Sequence, residues 1–168
     1  VGIVNAGAPE AAYKEAIDIA GAHQSSYGRE AAGVFAAAVA ASNYDAKKIE
    51  ALRKKFEDGV IASVPDAYIN GVDAPRLPGI TNVTFPGTQS DTLLLLLDSA
   101  HVSASTGSAC SAGVHEASHV LLAMGHDEVS AQSSLRFSFG ATSTKTDVDF
   151  VLSVLPDVIS RGRAANLR

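Results

Sequence analysis

One cysteine, Cys110, stands among 168 residues, so no internal disulfide framework can form, and a reducing cytoplasm is the expected compartment. Long apolar runs are also missing. The longest, Leu93 to Leu97, falls far short of the roughly 20 residues that cross a bilayer, so no membrane span is expected. No basic stretch followed by an apolar one opens the chain as a secretory signal would. The chain does not open on methionine either, and Val1 fits a processed product or a piece of a larger protein equally well. Basic residues form no block beyond Lys47, Lys48, Arg53, Lys54 and Lys55. These lie in a helical pattern beside Glu50, Glu57 and Asp58 and are expected to form a solvated helix face. With a net charge of −5, nucleic acid is not an expected ligand. No internal repeat or low-complexity linker divides the chain.

What is present suits a single globular domain. Apolar residues reach 46%, too many for a disordered chain, and the length suffices for one core but not two. Helices are expected over 10–21 and 30–41. Ser42 or Asn43 is then placed to cap a third helix, over 44–64, whose apolar stripe is Ile49, Leu52, Phe56 and Val60. Pro65 ends it. Two strands are expected at 67–70 and 80–85, the second alternating Ile80, Asn82, Thr84 with Thr81, Val83, Phe85. Ser90 or Asp91 caps a helix whose leucine run reads as deeply buried against a sheet. From Ser103 to Gly113 small and polar residues take over, the composition of a loop. A helix over 116–124 closes at Gly125. A strand over 134–139 sets Leu135, Phe137 and Phe139 against Ser134, Arg136 and Ser138. The last helix starts near Lys145, carries Val148, Val151, Leu152, Leu155 and Ile159, and is interrupted by Pro156, where a kink is expected. Helices and strands interspersed in this way give an α/β (α+β) domain: a small mixed sheet flanked by helices.

Three features could carry chemistry. A lone cysteine is usually a small buried hydrophobe. Cys110, however, lies among Ser105, Thr106, Gly107, Ser108, Ala109, Ser111, Ala112 and Gly113, which offer little to pack against. A thiol so placed suits a nucleophile or a carrier. Arg136 on its strand is either a solvent-facing cation or a planar fork for a carboxylate. Cys110, His115, Glu116 and His119 have some of the make-up of a zinc site, the two histidines being four apart. The loop has no second cysteine, though, and unrelated histidines near a helix start are the better reading. Nor does it end in the Gly-Lys-Ser/Thr of a phosphate-binding loop.

Four stretches, in order, resemble one family. Arg76-Leu77-Pro78-Gly79-Ile80-Thr81-Asn82-Val83-Thr84-Phe85 resembles the approach to a strand in the cysteine desulfurases, pyridoxal-phosphate-dependent enzymes of the class V aminotransferase fold. Ser105-Thr106-Gly107-Ser108-Ala109-Cys110-Ser111-Ala112-Gly113 resembles the loop bearing their catalytic cysteine. Ser118-His119-Val120-Leu121-Leu122-Ala123-Met124-Gly125 resembles the helix that follows. Ser134-Leu135-Arg136-Phe137-Ser138 resembles the strand whose arginine holds the substrate. The similarity runs from about Lys47 to Ile159 and more loosely back to Glu30.

The resemblance implies that Cys110 attacks the sulfur of L-cysteine held on pyridoxal phosphate, leaving a persulfide and L-alanine. Arg136 would bind the substrate carboxylate. It implies the small C-terminal domain of a fold-type I enzyme over 29–168, with 1–28 unassigned, although Ser25-Ser26-Tyr27-Gly28-Arg29-Glu30 resembles an N-terminal stretch of the family. The long Ser- and Gly-rich loop resembles the branch that passes sulfur to iron–sulfur scaffold proteins. No resident metal is implied, though the thiol could touch an iron–sulfur cluster in passing. The complete enzyme would be a homodimer. The family's Ser-His-Lys, which carries the cofactor lysine, and its Arg-Ser-Gly-Thr do not occur here. The cofactor is therefore expected on a large domain outside this chain, and the chain alone is expected to be inactive. Ala141 stands where the family commonly has Arg, and Glu116-Ala117 where it commonly has Glu-Pro. A non-enzymatic sulfur carrier is the rival reading, and a selenocysteine lyase differs only in substrate.

Overall fold

The computed structural model describes residues 45–106 and 117–166. The first described helix, α1 (Ala46–Ser63), starts at Asp45, whose carboxylate accepts from the backbone N–H groups of Lys47 and Lys48 at 3.0 and 3.1 Å. Asp45 thus does what was expected of Ser42 or Asn43, which lie outside the described residues with the helices expected over 10–21 and 30–41. The stripe α1 buries is wider than the apolar one. It contains Ile49, Leu52, Arg53, Phe56, Glu57 and Val60. Arg53 and Glu57 therefore do not belong to a solvated face. Spacings of three and four put them on the inward side, where the Arg53 Nη1 donates to both Glu57 oxygens at 3.0 and 2.9 Å.

Three strands follow the expected positions: β1 (Tyr68–Ile69), β2 (Ile80–Thr84) and β3 (Ser134–Ser138). They form one sheet in the order β1-β2-β3, and both ladders are antiparallel. The α/β architecture is as expected, but the described sheet is antiparallel throughout rather than mixed. On β3's far side, Ser105 makes an isolated antiparallel bridge to Arg136.

Val83, Leu135 and Phe137 point from the sheet into the core, where the Phe56 ring of α1 lies 4.7 Å from that of Phe137 and 5.6 Å from that of Phe139. The core is closed by α2 (Ser90–Ser99) and, after two five-residue helices, α3 (His119–Ala123) and α4 (Glu128–Gln132), by the long α5 (Lys145–Asn166). In α2 the leucine run is not buried as a whole. Leu93 and Leu97 are fully buried while Leu95 is 72% exposed, because a helix turning once per 3.6 residues cannot hide five consecutive side chains. Its buried edge meets α5 chiefly, not the sheet. Gln89 precedes α2 without a side-chain capping bond, so neither Ser90 nor Asp91 is the cap; Asp91 lies in the first turn, where its charge favours the helix dipole.

The helix after the loop is shorter than expected. Among the described residues it covers His119–Ala123, and Gly125 follows with φ +92°, the left-handed turn that glycine makes without strain. The sequence pattern did not mark α4. Asp127 caps it, accepting from the Ser130 N–H at 2.8 Å, which holds the Asp127 carboxyl below its ordinary value. Pro156 does not interrupt α5, which runs unbroken from 145 to 166. Packing against both α1 and α2 outweighs the roughly 3 kcal/mol that an internal proline costs. Among the described residues no helix is long and apolar enough to cross a membrane.

Gly79 sets how closely β2 and β3 approach. Its carbonyl accepts from the Phe139 N–H at 2.7 Å, and a Cβ there would lie 2.5 Å from the Phe139 oxygen and 3.0 Å from Ile49 Cγ2. The first obstacle is backbone and cannot swing aside. Gly79→Ala is expected to cost about 1–3 kcal/mol in urea unfolding. An unchanged midpoint would mean that the strand ends separate freely.

Candidate active site

Strand alternation gives the sheet a second face, turned away from the core. Asn82 and Thr84 of β2 lie there opposite Arg136 and Ser134 of β3. Asn70, just past β1, joins them: its N–H donates to the Asn82 carbonyl at 2.9 Å, and its Nδ2 donates to Thr84 Oγ1 at 2.9 Å and to Asn82 Oδ1. Thr84 and Ser134 hydroxyls lie 2.7 Å apart, and Ser134 Oγ donates to the Ser130 carbonyl of α4 at 2.7 Å. A polar network therefore occupies a face where an isolated sheet would expose its side chains.

Arg136 stands in the middle of this face. Its backbone is fixed on both sides, by Asn82 across the ladder and by Ser105, whose N–H donates to the Arg136 oxygen at 3.1 Å and whose carbonyl accepts from the Arg136 N–H at 2.6 Å. The side chain is half-buried. Its Nε is shielded from solvent and has no hydrogen-bond partner among the described residues. The other described arginines all meet carboxylates: Arg53 and Arg76 at Glu57, Arg161 at Asp157, and Arg163 at Asp66. A buried donor without an acceptor costs about 1–3 kcal/mol and suits a site that waits for an anion.

Comparison with known proteins identifies the family. A family model for class-V aminotransferases matches residues 26–151. The chain belongs to that family. Within it, an IscS-like cysteine desulfurase of Mycobacterium tuberculosis is 49% identical over 121 residues, covering 71% of this chain and 31% of the relative. A cysteine desulfurase of Gluconacetobacter diazotrophicus is 40% identical over 116 residues, covering 69% of this chain and 29% of its own. The solved structure of a NifS-like protein from Rickettsia africae superposes with a TM-score of 0.61 at 25% identity, over 79% of this chain and 33% of that one. The chain thus spans about a third of the length of the curated relatives it matches.

Class-V aminotransferases use pyridoxal phosphate, which needs a lysine amine and a phosphate cradle. The described residues do not make such a seat. Lys47, Lys48 and Lys54 are exposed on α1, Lys55 pairs with Asp149, and Lys145 opens α5 in solvent. None of these amines lies on the polar sheet face, so the described residues cannot hold that group by themselves. Of the candidate side chains, Cys110, His115 and Glu116 lie outside the described residues. His119 is exposed, because it opens α3, whose one buried residue is Leu121. Among the described residues no three His, Cys, Asp or Glu side chains converge as metal ligands do. Sequence reasoning missed Asn70 as part of this face. Asn82 and Thr84 were legible as a same-side pair, and strand parity with Ser134 and Arg136 was the signal that joined them.

Proposed function

We propose that residues 29–168 are the small domain of a cysteine desulfurase, with residues 1–28 unassigned. The complete enzyme would take sulfur from L-cysteine, release L-alanine and pass the sulfur to an acceptor such as an iron–sulfur scaffold protein. The observation that carries this reading is Arg136, the described arginine with no carboxylate partner among the described residues, whose buried Nε is left to receive one. A substrate α-carboxylate fits that fork.

Cys110 supplies the nucleophile. Its thiolate attacks the substrate sulfur; an S–S bond forms as the substrate C–S bond breaks. The electron pair of the C–S bond stays with the carbon skeleton, which takes a proton to give L-alanine. Pyridoxal phosphate, held by a large domain outside this chain, would supply the electron sink that makes the C–S bond labile. Cys110 follows Ser105 by five residues, and five residues span at most roughly 17 Å. That length bounds how far Cys110 can lie from Ser105, the bridge partner of Arg136, and it is a reach that suits a thiol serving first a substrate and then an acceptor protein. A cytoplasmic homodimer is the expected form of the complete enzyme.

Arg136→Lys in the complete enzyme tests the reading. A lysine keeps the charge and loses the fork. The KM for L-cysteine is expected to rise about 10–100-fold, the size of a charge-assisted hydrogen bond, with a smaller change in kcat. An unchanged KM would remove the carboxylate role.

A further inference from the structure

The polar face fixes the direction of every proton in its network, and that direction has a consequence beside Arg136. The Ser130 carbonyl can only accept, so the Ser134 hydroxyl spends its proton there, at 2.7 Å. Ser134 must then accept from Thr84, 2.7 Å away. Thr84 has one proton to give, and the 2.7 Å contact takes it in preference to the Asn70 Oδ1 at 3.3 Å. Thr84 Oγ1 is left to accept, and Asn70 Nδ2 supplies that proton at 2.9 Å. The second Nδ2 proton of Asn70 goes to Asn82 Oδ1. The amide orientation of Asn82 follows: its oxygen is occupied inward, and its Nδ2, which meets no acceptor among the described residues, is left to donate.

Asn82 is the ladder partner of Arg136. Side chains so paired start roughly 4.5–5.5 Å apart at Cβ, close enough to reach one small anion together. We infer that Asn82 Nδ2 is a second donor to the substrate carboxylate beside Arg136, and that Asn70, Thr84 and Ser134 position it by fixing its amide. The site then presents only donors, Arg136 Nε and Asn82 Nδ2, and selects for a carboxylate over a neutral or cationic group. This rests on the desulfurase reading of Arg136 and adds to it a residue that reading does not require.

The test is Asn82→Asp in the complete, cofactor-loaded enzyme. Aspartate has the same shape and still accepts from Asn70, but it replaces a donor by a negative charge. The KM for L-cysteine is expected to rise at least tenfold, and the Kd for L-alanine, followed by cofactor absorbance, to rise with it. The kcat and the unfolding midpoint should hold. Asn82→Ala removes the donor without adding charge and should raise both constants by a smaller factor, about threefold to tenfold. It serves in place of the aspartate variant if that one does not fold. Unchanged KM and Kd in an Asn82 variant, with Arg136→Lys still raising KM, would overturn the inference and leave the desulfurase reading standing. If Arg136→Lys also changes nothing, the carboxylate site itself is wrong. A fall in kcat and midpoint with KM unmoved would make Asn82 a structural residue and overturn the inference too.

Discussion

Replacing Cys110 by serine is expected to leave the complete enzyme able to bind L-cysteine and unable to remove its sulfur. Sulfur transfer needs a soft, anionic nucleophile, and a thiol with an ordinary acidity near 8.5 reaches that state near neutral pH. A serine hydroxyl does not, and an S–O product would be no sulfur carrier. Turnover should fall at least on the order of a thousandfold, the scale on which removing a nucleophile acts. Binding should survive, because in the proposed site the carboxylate is held by Arg136 and not by the thiol. The Kd for L-cysteine, read from cofactor absorbance, is therefore expected to stay within about twofold, less than one hydrogen bond's worth. Full turnover by the serine variant would end the assignment.

Arg136→Lys, set beside the serine variant, separates the enzyme from a carrier. A non-enzymatic sulfur carrier keeps Cys110 but has no use for Arg136, since it never grips a free amino acid. In that case sulfur loaded on Cys110 from an external donor should be insensitive to Arg136→Lys. In a desulfurase, Cys110→Ser abolishes product formation and Arg136→Lys weakens substrate binding. The two variants thus fail at different steps only if thiol and guanidinium serve one reaction.

Much of this was legible because strands and helices print their periods on the chain. The alternation of Ser134, Arg136 and Ser138 against Leu135, Phe137 and Phe139 gave the polar and apolar faces of β3 as they occur, with Leu135 and Phe137 buried. Ile49, Leu52, Phe56 and Val60 gave the inward stripe of α1. What escaped depended on contacts distant in sequence. Arg53 and Glu57 sit on that inward stripe, yet their charge argued for solvent; Arg76, 19 residues beyond Glu57, makes their burial tolerable. The five-residue α4 is too short to show a period, and its cap, Asp127, went unread. Asn70 joined the candidate site through a strand of two residues, which no alternation can reveal.

Glu57 should prove the most costly single loss to stability. It is 9% exposed and receives two guanidiniums: Arg53 Nη1 at 3.0 and 2.9 Å, and Arg76 Nη1 and Nη2 at 2.7 and 3.3 Å. Burial pushes its carboxyl up from the ordinary 4.5. Hydrogen bonds from Arg76, the adjoining Thr81 hydroxyl and Arg53 outweigh that and hold it below. The contact with Thr81 is the loosest of these, since Thr81 Oγ1 falls outside strict hydrogen-bond geometry. Glu57→Gln takes the buried counterion from Arg53, itself 7% exposed, leaving it only the exposed Glu50 at 3.4 Å, removes the carboxylate from Arg76 as well, and is expected to cost about 3–5 kcal/mol in urea unfolding. Arg53 Nε also donates to the Pro78 carbonyl at 3.0 Å, so the loss would loosen the approach to β2 and with it Asn82 opposite Arg136. The double replacement Arg53→Met with Glu57→Leu should recover much of the stability, because apolar side chains need no partner. The pH dependence has a fixed sign. With the folded carboxyl more acidic than the unfolded one, its contribution is fully present above about pH 4.5 and is lost as pH falls through the lower, folded value. The wild-type protein should therefore lose stability on acidification below that point more steeply than the double variant. Parallel curves would mean that Glu57 titrates alike in the folded and unfolded chain.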